Sequence, residues 1–236
     1  LMDLHPWKLW SADGKPAPWT EDAIAALQSV ILRDPSHVGA NHFLIHAVEA
    51  SPDPSLAIAS AERLKTLAPN AGHLVHMPAH IYQRVGDFAD SAEANRKAIA
   101  ADQAYFTAEH MLPAGNMYYD MYYVHNIHFL ASACNMEGNA DCAIDAAKKL
   151  VDYTTLAYAK DKAVEWFMPT QPWMLVRFNR WDEILKAPMP PKEMFALTAS
   201  WHYARGSAYT ALKQPKEAAT EREALAAAAS AIPKDL

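Results

Sequence analysis

Two helical patterns in this chain are closed by proline, at Pro35 in "RDPSH" and at Pro69 in "LAPNAG", and the two prolines stand 34 residues apart. A period of that length leaves few architectures open. One such unit holds two helices and a turn, cannot bury its own apolar face, and must stack on its neighbours. The local pattern agrees. Apolar residues recur at three- and four-residue spacing in "TEDAIAALQSVILRD" and "PSLAIASAERLKTLAP", alanine is abundant, and only 7 glycines occur in 236 residues. Thr20 stands where an N-cap is expected before the first of these helices. No alternating run has the character of a strand, so the chain is expected to be all-α.

The turn and second helix of a unit recur. "RVGDFADSAEANRKAIAAD" (Arg84–Asp102) has Gly86 in the turn, Phe88 two residues later, and small residues at Ser91 and Ala98. "MEGNADCAIDAAKKL" repeats the pattern with Gly138 in the place of Gly86. With the 34-residue spacing, these landmarks resemble the tetratricopeptide repeat, in a divergent bacterial-type form with a His-rich groove. The resemblance runs from about Thr20 to the C-terminus. It is looser in "RFNRWDEIL" and "ARGSAYTALKQPKEA", where Gly206 and Tyr209 match first-helix positions. The units start at Val38, Gly72, and near Val124, Glu165 and Ala199. The resemblance implies an α-α superhelical solenoid of about five hairpins, one domain over 20–236, with first helices lining a concave groove. The Pro-, Trp- and Gly-rich segment 1–19 reads as an irregular cap. The step from Gly72 to Val124 exceeds one period by 18 residues, which places an insertion loop at 106–123.

Charge and cysteine usage exclude several classes. Lys and Arg number 21 against 27 Asp and Glu, a formal charge of −6, and no basic stripe is available to follow phosphates. Nucleic acid is not an expected partner. No apolar stretch reaches the roughly 20 residues that span a bilayer, and "LMDLHPWKLW" lacks the layout of a signal peptide. A soluble chain, cytoplasmic or periplasmic, is expected; it begins at Leu1, which leaves room for a longer precursor or an upstream domain. Cys134 and Cys142 lack zinc-finger spacing and read as two small residues buried at a helix pair.

The histidines follow the same register. His42 and His46 lie four and eight residues past Val38, and His76 and His80 lie four and eight past Gly72. His73 and His125 each sit one past their unit starts, and His128 is four past Val124. Seven of the 11 histidines thus occupy three offsets on one helical face, continued by Glu49. The resemblance places that face on the groove. His5, His37, His110 and His202 read instead as ordinary solvated, hydrogen-bonded or packed residues.

Crowded imidazoles repel one another once protonated, whereas a divalent cation uses their neutral lone pairs. Packed helices lie about 8–10 Å apart, so rings from neighbouring units can meet at one ion. One expected cluster is His73, His76, His125 and His128; the other is His42, His46, Glu49 and His80. Rings rich in nitrogen, without thiolate, favour copper or zinc, with iron or nickel admissible, over calcium or magnesium. Pro78 is expected to kink the second unit's first helix.

Tyr118, Tyr119 and Tyr122 in the insertion read as a lid or aromatic platform for substrate, or else as packing between units. Trp166, Trp173 and Arg177 read as a further groove wall. These residues together describe a metal-binding protein, leaning toward a metalloenzyme that oxidises or hydrolyses a small molecule, a phenolic one among the candidates, with Glu49 as catalytic base. The alternatives are a metal store or delivery protein, and a scaffold that holds a peptide or protein partner in the groove without metal.

Overall fold

Proline and glycine punctuate the helices where the repeat register requires it. The computed structural model describes residues 2, 5, 8–111, 115–159 and 161–232; parts of the expected cap (1, 3, 4, 6 and 7) and of the expected insertion (112–114) lie outside the described residues. Among the described residues there are twelve α-helices and, in place of strands, only an isolated bridge between Trp10 and Pro16. The chain divides into two compact units, Leu1–Met111 and Leu112–Leu236, where the repeat register alone places one domain. The division falls inside the segment where the 34-residue rhythm breaks.

The first unit contains α1 (Thr20–Arg33), α2 (Val38–Val48), α3 (Ile58–Leu67), α4 (Gly72–His76), α5 (Pro78–Val85) and α6 (Phe88–Ala108). Here α2 packs between α1 and α3, α3 packs on α5, and α4 and α5 both lie on α6. Helices α2 and α4 begin at Val38 and Gly72, the two starts that the prolines pick out. Ile45, Val48, Leu64, Met77 and Ile81 are fully buried, with Ala47, Ala57 and Ala61 between them allowing close approach. Each such large side chain contributes about 1.5–3 kcal/mol by leaving water.

The described part of the cap is fastened to α2. Trp10 Nε1 donates to the Ala47 carbonyl at 2.7 Å, and Leu9 joins the core. Thr20 does not act as the N-cap, which falls on Trp19 without a side-chain bond. Its buried hydroxyl, which needs an acceptor, donates instead to the Leu9 carbonyl at 2.9 Å.

Pro78 divides the first helix of the second hairpin. It has no N–H to return a helical bond, so α4 ends at His76, and α5 starts with proline in its first position. Gly86, in left-handed conformation at φ 86°, then ends α5, and Asp87 N–H bonds to the Tyr82 carbonyl at 2.9 Å.

In the second unit a π-helical turn, Tyr118–Tyr123, runs directly into α7 (Val124–Glu137). Then follow α8 (Ala140–Ala157), a 3-10 turn (Lys162–Phe167), α9 (Thr170–Arg177), α10 (Trp181–Lys186), α11 (Phe195–Ala211) and α12 (Pro215–Ser230). Successive helices pack pairwise, α7 on α8, α8 on α9, α9 and α10 on α11, and α11 on α12. Gly138, at φ 76°, makes the same turn as Gly86, with Asn139 N–H bonding to the Cys134 carbonyl at 2.9 Å.

Three expectations are corrected in detail. The last two hairpins begin at Thr170 and Phe195, not near Glu165 and Ala199. Prolines 169 and 172 delay the first of these helices, while the buried Glu165 carboxylate accepts from Ala196 N–H at 2.6 Å and Leu197 N–H at 3.2 Å, capping α11. The expected insertion loop is largely helical at both ends, since 106–108 complete α6 and 118–123 form the π-turn. Cys134 and Cys142 are joined in a disulfide that ties α7 to α8. The Gly138 turn folds the second helix back on the first and leaves the two Cα atoms 5.7 Å apart, inside the range a disulfide spans.

Candidate metal centre

Six side chains of the expected stripe meet within the first unit. His42 and His46 project from α2, Glu49 from its C-terminal end, His73 and His76 from α4, and His80 from the first turn of α5. His42 Nε2 lies 3.1 Å from His73 Nε2, and His76 Nε2 lies 2.9 Å from His80 Nε2. One ring nitrogen from each of His42, His46 and His73 falls within 4.8 Å of the other two. Two imidazole nitrogens bound tetrahedrally to zinc at 2.0–2.1 Å are separated by about 3.3 Å, close to both pairs.

Glu49 spans the group. Its Oε1 accepts from His46 Nδ1 at 2.8 Å and its Oε2 from His80 Nδ1 at 2.5 Å. Burial alone would raise this carboxyl, but the hydrogen bonds from His46 and His80 outweigh it and hold the pKa at about 2. Glu49 is therefore an acceptor only, and both Nδ1 atoms carry protons.

His76 is held in the same sense from another helix. Its Nδ1 lies 2.7 Å from Oδ1 of the fully buried Asn95 on α6. The Asn95 amide is oriented by its Nδ2, which donates to the Ser91 carbonyl at 2.7 Å. His76 Nδ1 is the donor, and in a neutral ring its lone pair sits on Nε2. The same holds for His80. Two lone pairs aimed at each other across 2.9 Å repel, so this point calls for positive charge: a proton on one ring or a cation shared by both.

His42 and His73 are neutral at ordinary pH. Burial, then the neighbouring imidazoles His46 and His80, lowers His42 to about 4. Burial, then His42, His46 and His80, lowers His73 to about 3. The start of α4, which carries His73, is placed by a close approach. A Cβ on Gly72 would lie 1.9 Å from Oδ1 of the buried Asp102 on α6.

The pairing within this unit differs from the expected partition. His73 meets His42, and His76 meets His80, with Glu49 between His46 and His80. The partition joined the early offsets of the units starting at Gly72 and Val124; stacking sets the first turn of α4 opposite α2, while the i, i+4 pair across the Pro78 break stays local. Glu49, expected as ligand and catalytic base, has each oxygen on an imidazole N–H. Asn95 and Asp102 were not anticipated. A signal exists, because Ser91, Asn95, Ala98 and Asp102 recur at four- and three-residue spacing on one buried face of α6, with polar residues where packing alone would place alanine.

His125 and His128 belong to α7 in the second unit. There His125 packs against Phe129 at a ring separation of 4.8 Å and His128 against Phe167 at 5.4 Å, with burial lowering the His128 pKa. In the same unit Tyr118 stacks on Tyr122 at 5.5 Å, whereas Tyr119 is buried against Tyr123 and Tyr153 and serves packing. Trp166 and Trp173 are about half exposed, and Arg177 lies over Phe178.

The remaining histidines have structural duties. His37 caps α2, its Nδ1 accepting from Ala40 N–H at 3.1 Å, and His5 packs on Trp19. His202 packs on Trp201 and bonds to Glu221 at 2.7 Å. His110 sits just beyond α6 with φ 52°.

Hairpins closed by left-handed glycines and stacked on their neighbours define an all-α protein of tetratricopeptide-like fold. A solved structure titled "Crystal structure of MamA" is similar to this chain, 14% identical over 89% of each chain, with a TM-score of 0.49. No protein-family model matches the chain, and no curated protein matches it.

Proposed function

We propose that this protein binds a transition metal ion through the imidazoles of its first unit, His42, His46, His73, His76 and His80. The observation that carries the reading is the pair of Nε2 atoms of His76 and His80, facing at 2.9 Å while both Nδ1 atoms are committed as donors. The His42 and His73 pair supports it, since burial keeps both rings neutral and able to donate lone pairs.

The donors are nitrogen, and both cysteines are tied up in the disulfide, so copper or zinc fits better than the oxygen-seeking calcium or magnesium. A bound ion would act as Lewis acid or redox centre toward a small molecule at an open coordination position; a store or delivery protein needs no such position. In either form Glu49 orients rings instead of serving as a free base. A peptide-holding scaffold is the second reading, favoured by the hairpin fold itself.

Elemental analysis of untagged protein tests the proposal. The expected result is a stoichiometric metal that the His42→Ala, His76→Ala double variant loses while keeping its helical circular dichroism. Native-like protein that remains metal-free after exposure to zinc and copper(I) would overturn it and favour the scaffold.

A further inference from the structure

We infer that the centre holds two ions, and that Glu49 is the positioning residue for both subsites; this rests on the metal-binding reading above. The rings fall into two groups. Nitrogens of His42, His46 and His73 gather within 4.8 Å, while His76 and His80 face each other at 2.9 Å as a separate pair. The ring nitrogens make this division and the ring centres do not, since the His46 and His73 centroids of the first group lie 6.2 Å apart and those of His46 and His80, across the groups, 5.7 Å. The geometry suits adjacent ions better than one ion shared by five rings.

Glu49 touches one ring of each group. Its Oε1 holds His46 of the first subsite, and its Oε2 holds His80 of the second. A carboxylate behind a metal-ligating imidazole fixes the tautomer, sets the ring plane and makes Nε2 more basic; loss of such a partner typically weakens metal binding 10–100-fold. Here one carboxylate does this for two rings on two helices. Asn95 does it for His76 alone.

Substitution separates this role from ligation. Glu49→Ala removes the acceptor from both Nδ1 atoms and should weaken both subsites while leaving the ion count at two. Glu49→Gln offers one oxygen acceptor and one NH2 donor, so only one Nδ1–H keeps its partner and the subsites become unequal.

The test is a titration of the full-length chain with cobalt(II), followed by its visible ligand-field spectrum, and with zinc by calorimetry. Helical circular dichroism is checked for every variant. Two ions are expected in the starting protein, two ions bound about 10–100-fold more weakly in Glu49→Ala, and two distinct affinities in Glu49→Gln. The His42→Ala and His76→Ala variants should each lose a different one of the two ions. A single ion in the starting protein overturns the two-subsite inference and leaves metal binding standing. One ion fewer in Glu49→Ala, or unchanged affinity there, overturns the positioning role. No ion at all removes the metal reading itself.

Discussion

Two glutamates, one in each unit, hold an imidazole in the same way and balance their charge differently. In the second unit the buried Glu221 accepts from His202 Nδ1 at 2.7 Å and from Arg205 Nε at 2.7 Å. Arg205 also donates to the Leu185 carbonyl at 3.1 Å and to the Tyr209 hydroxyl at 2.9 Å, and lies over Trp201. A guanidinium is always charged, so this carboxylate is neutralised by the chain itself. Among the described residues, Glu49 in the first unit is hydrogen-bonded by His46 and His80 and by no arginine or lysine. These two partners carry positive charge when an imidazole is protonated or, on the proposed reading, when the rings hold a metal. The first arrangement locks a hairpin; the second is open to an external cation.

The largest expected effect breaks the closed arrangement. Arg205→Met would leave Glu221 buried with one imidazole, and removing a partner from a buried ion pair costs about 3–5 kcal/mol. Urea denaturation should register that loss, and a change below about 1 kcal/mol would mean that Arg205 does not balance Glu221.

Next in size is Gly72→Ala. Its Cβ would meet the Asp102 carboxylate at 1.9 Å, displacing a buried charge and the first turn of α4. A loss of about 2–3 kcal/mol is expected, together with weakened metal binding through His73. Wild-type stability and affinity would show that α4 is placed by other contacts.

Acid should act on the open arrangement in a known direction. The folded pKa values of His42 and His73, about 4 and about 3, lie below their ordinary 6.5. The unfolded chain therefore takes up more protons, and stability falls as pH drops below about 6.5 toward those values. The Glu49 contribution is present above its ordinary 4.5 and is lost as pH falls toward about 2. Metal-stripped protein should melt at steadily lower temperature between pH 7 and pH 4. Replacing both His42 and His73 with glutamine should flatten that slope, and an equally steep slope in the double variant would contradict the burial of neutral rings.

The smallest expected effect sharpens the site. Asn95→Leu removes the acceptor for His76 Nδ1 at nearly constant volume, with a stability change of about 1–2 kcal/mol. Zinc calorimetry should nevertheless find one binding step weakened about 10–100-fold. Equal weakening of both steps would argue against separate subsites.

The parts legible in the sequence are those encoded by local chemistry. Pro35 and Pro69 end helices, Gly86 and Gly138 accept left-handed backbone, and the starts of α2, α4 and α7 follow to the residue. The start of α9 does not follow, because prolines 169 and 172 compete with the repeat, and that of α11 depends on a carboxylate 31 residues away. The site divides along the same line. Shared offsets mark which histidines lie on one face. Which ring meets which, the oxygens that fix their tautomers, and the Asp102 contact that places α4 all arise from helices packed together, as does the meeting of Cys134 with Cys142.

The central claim concerns what the first-unit imidazoles surround. X-ray absorption at the metal edge of zinc- or copper(I)-loaded full-length protein measures this directly. The account predicts a first shell of imidazole nitrogen, for zinc at about 2.0–2.1 Å, that is lost in the His42→Ala, His76→Ala double variant. A shell of oxygen alone, or a nitrogen shell unchanged in that variant, would contradict it.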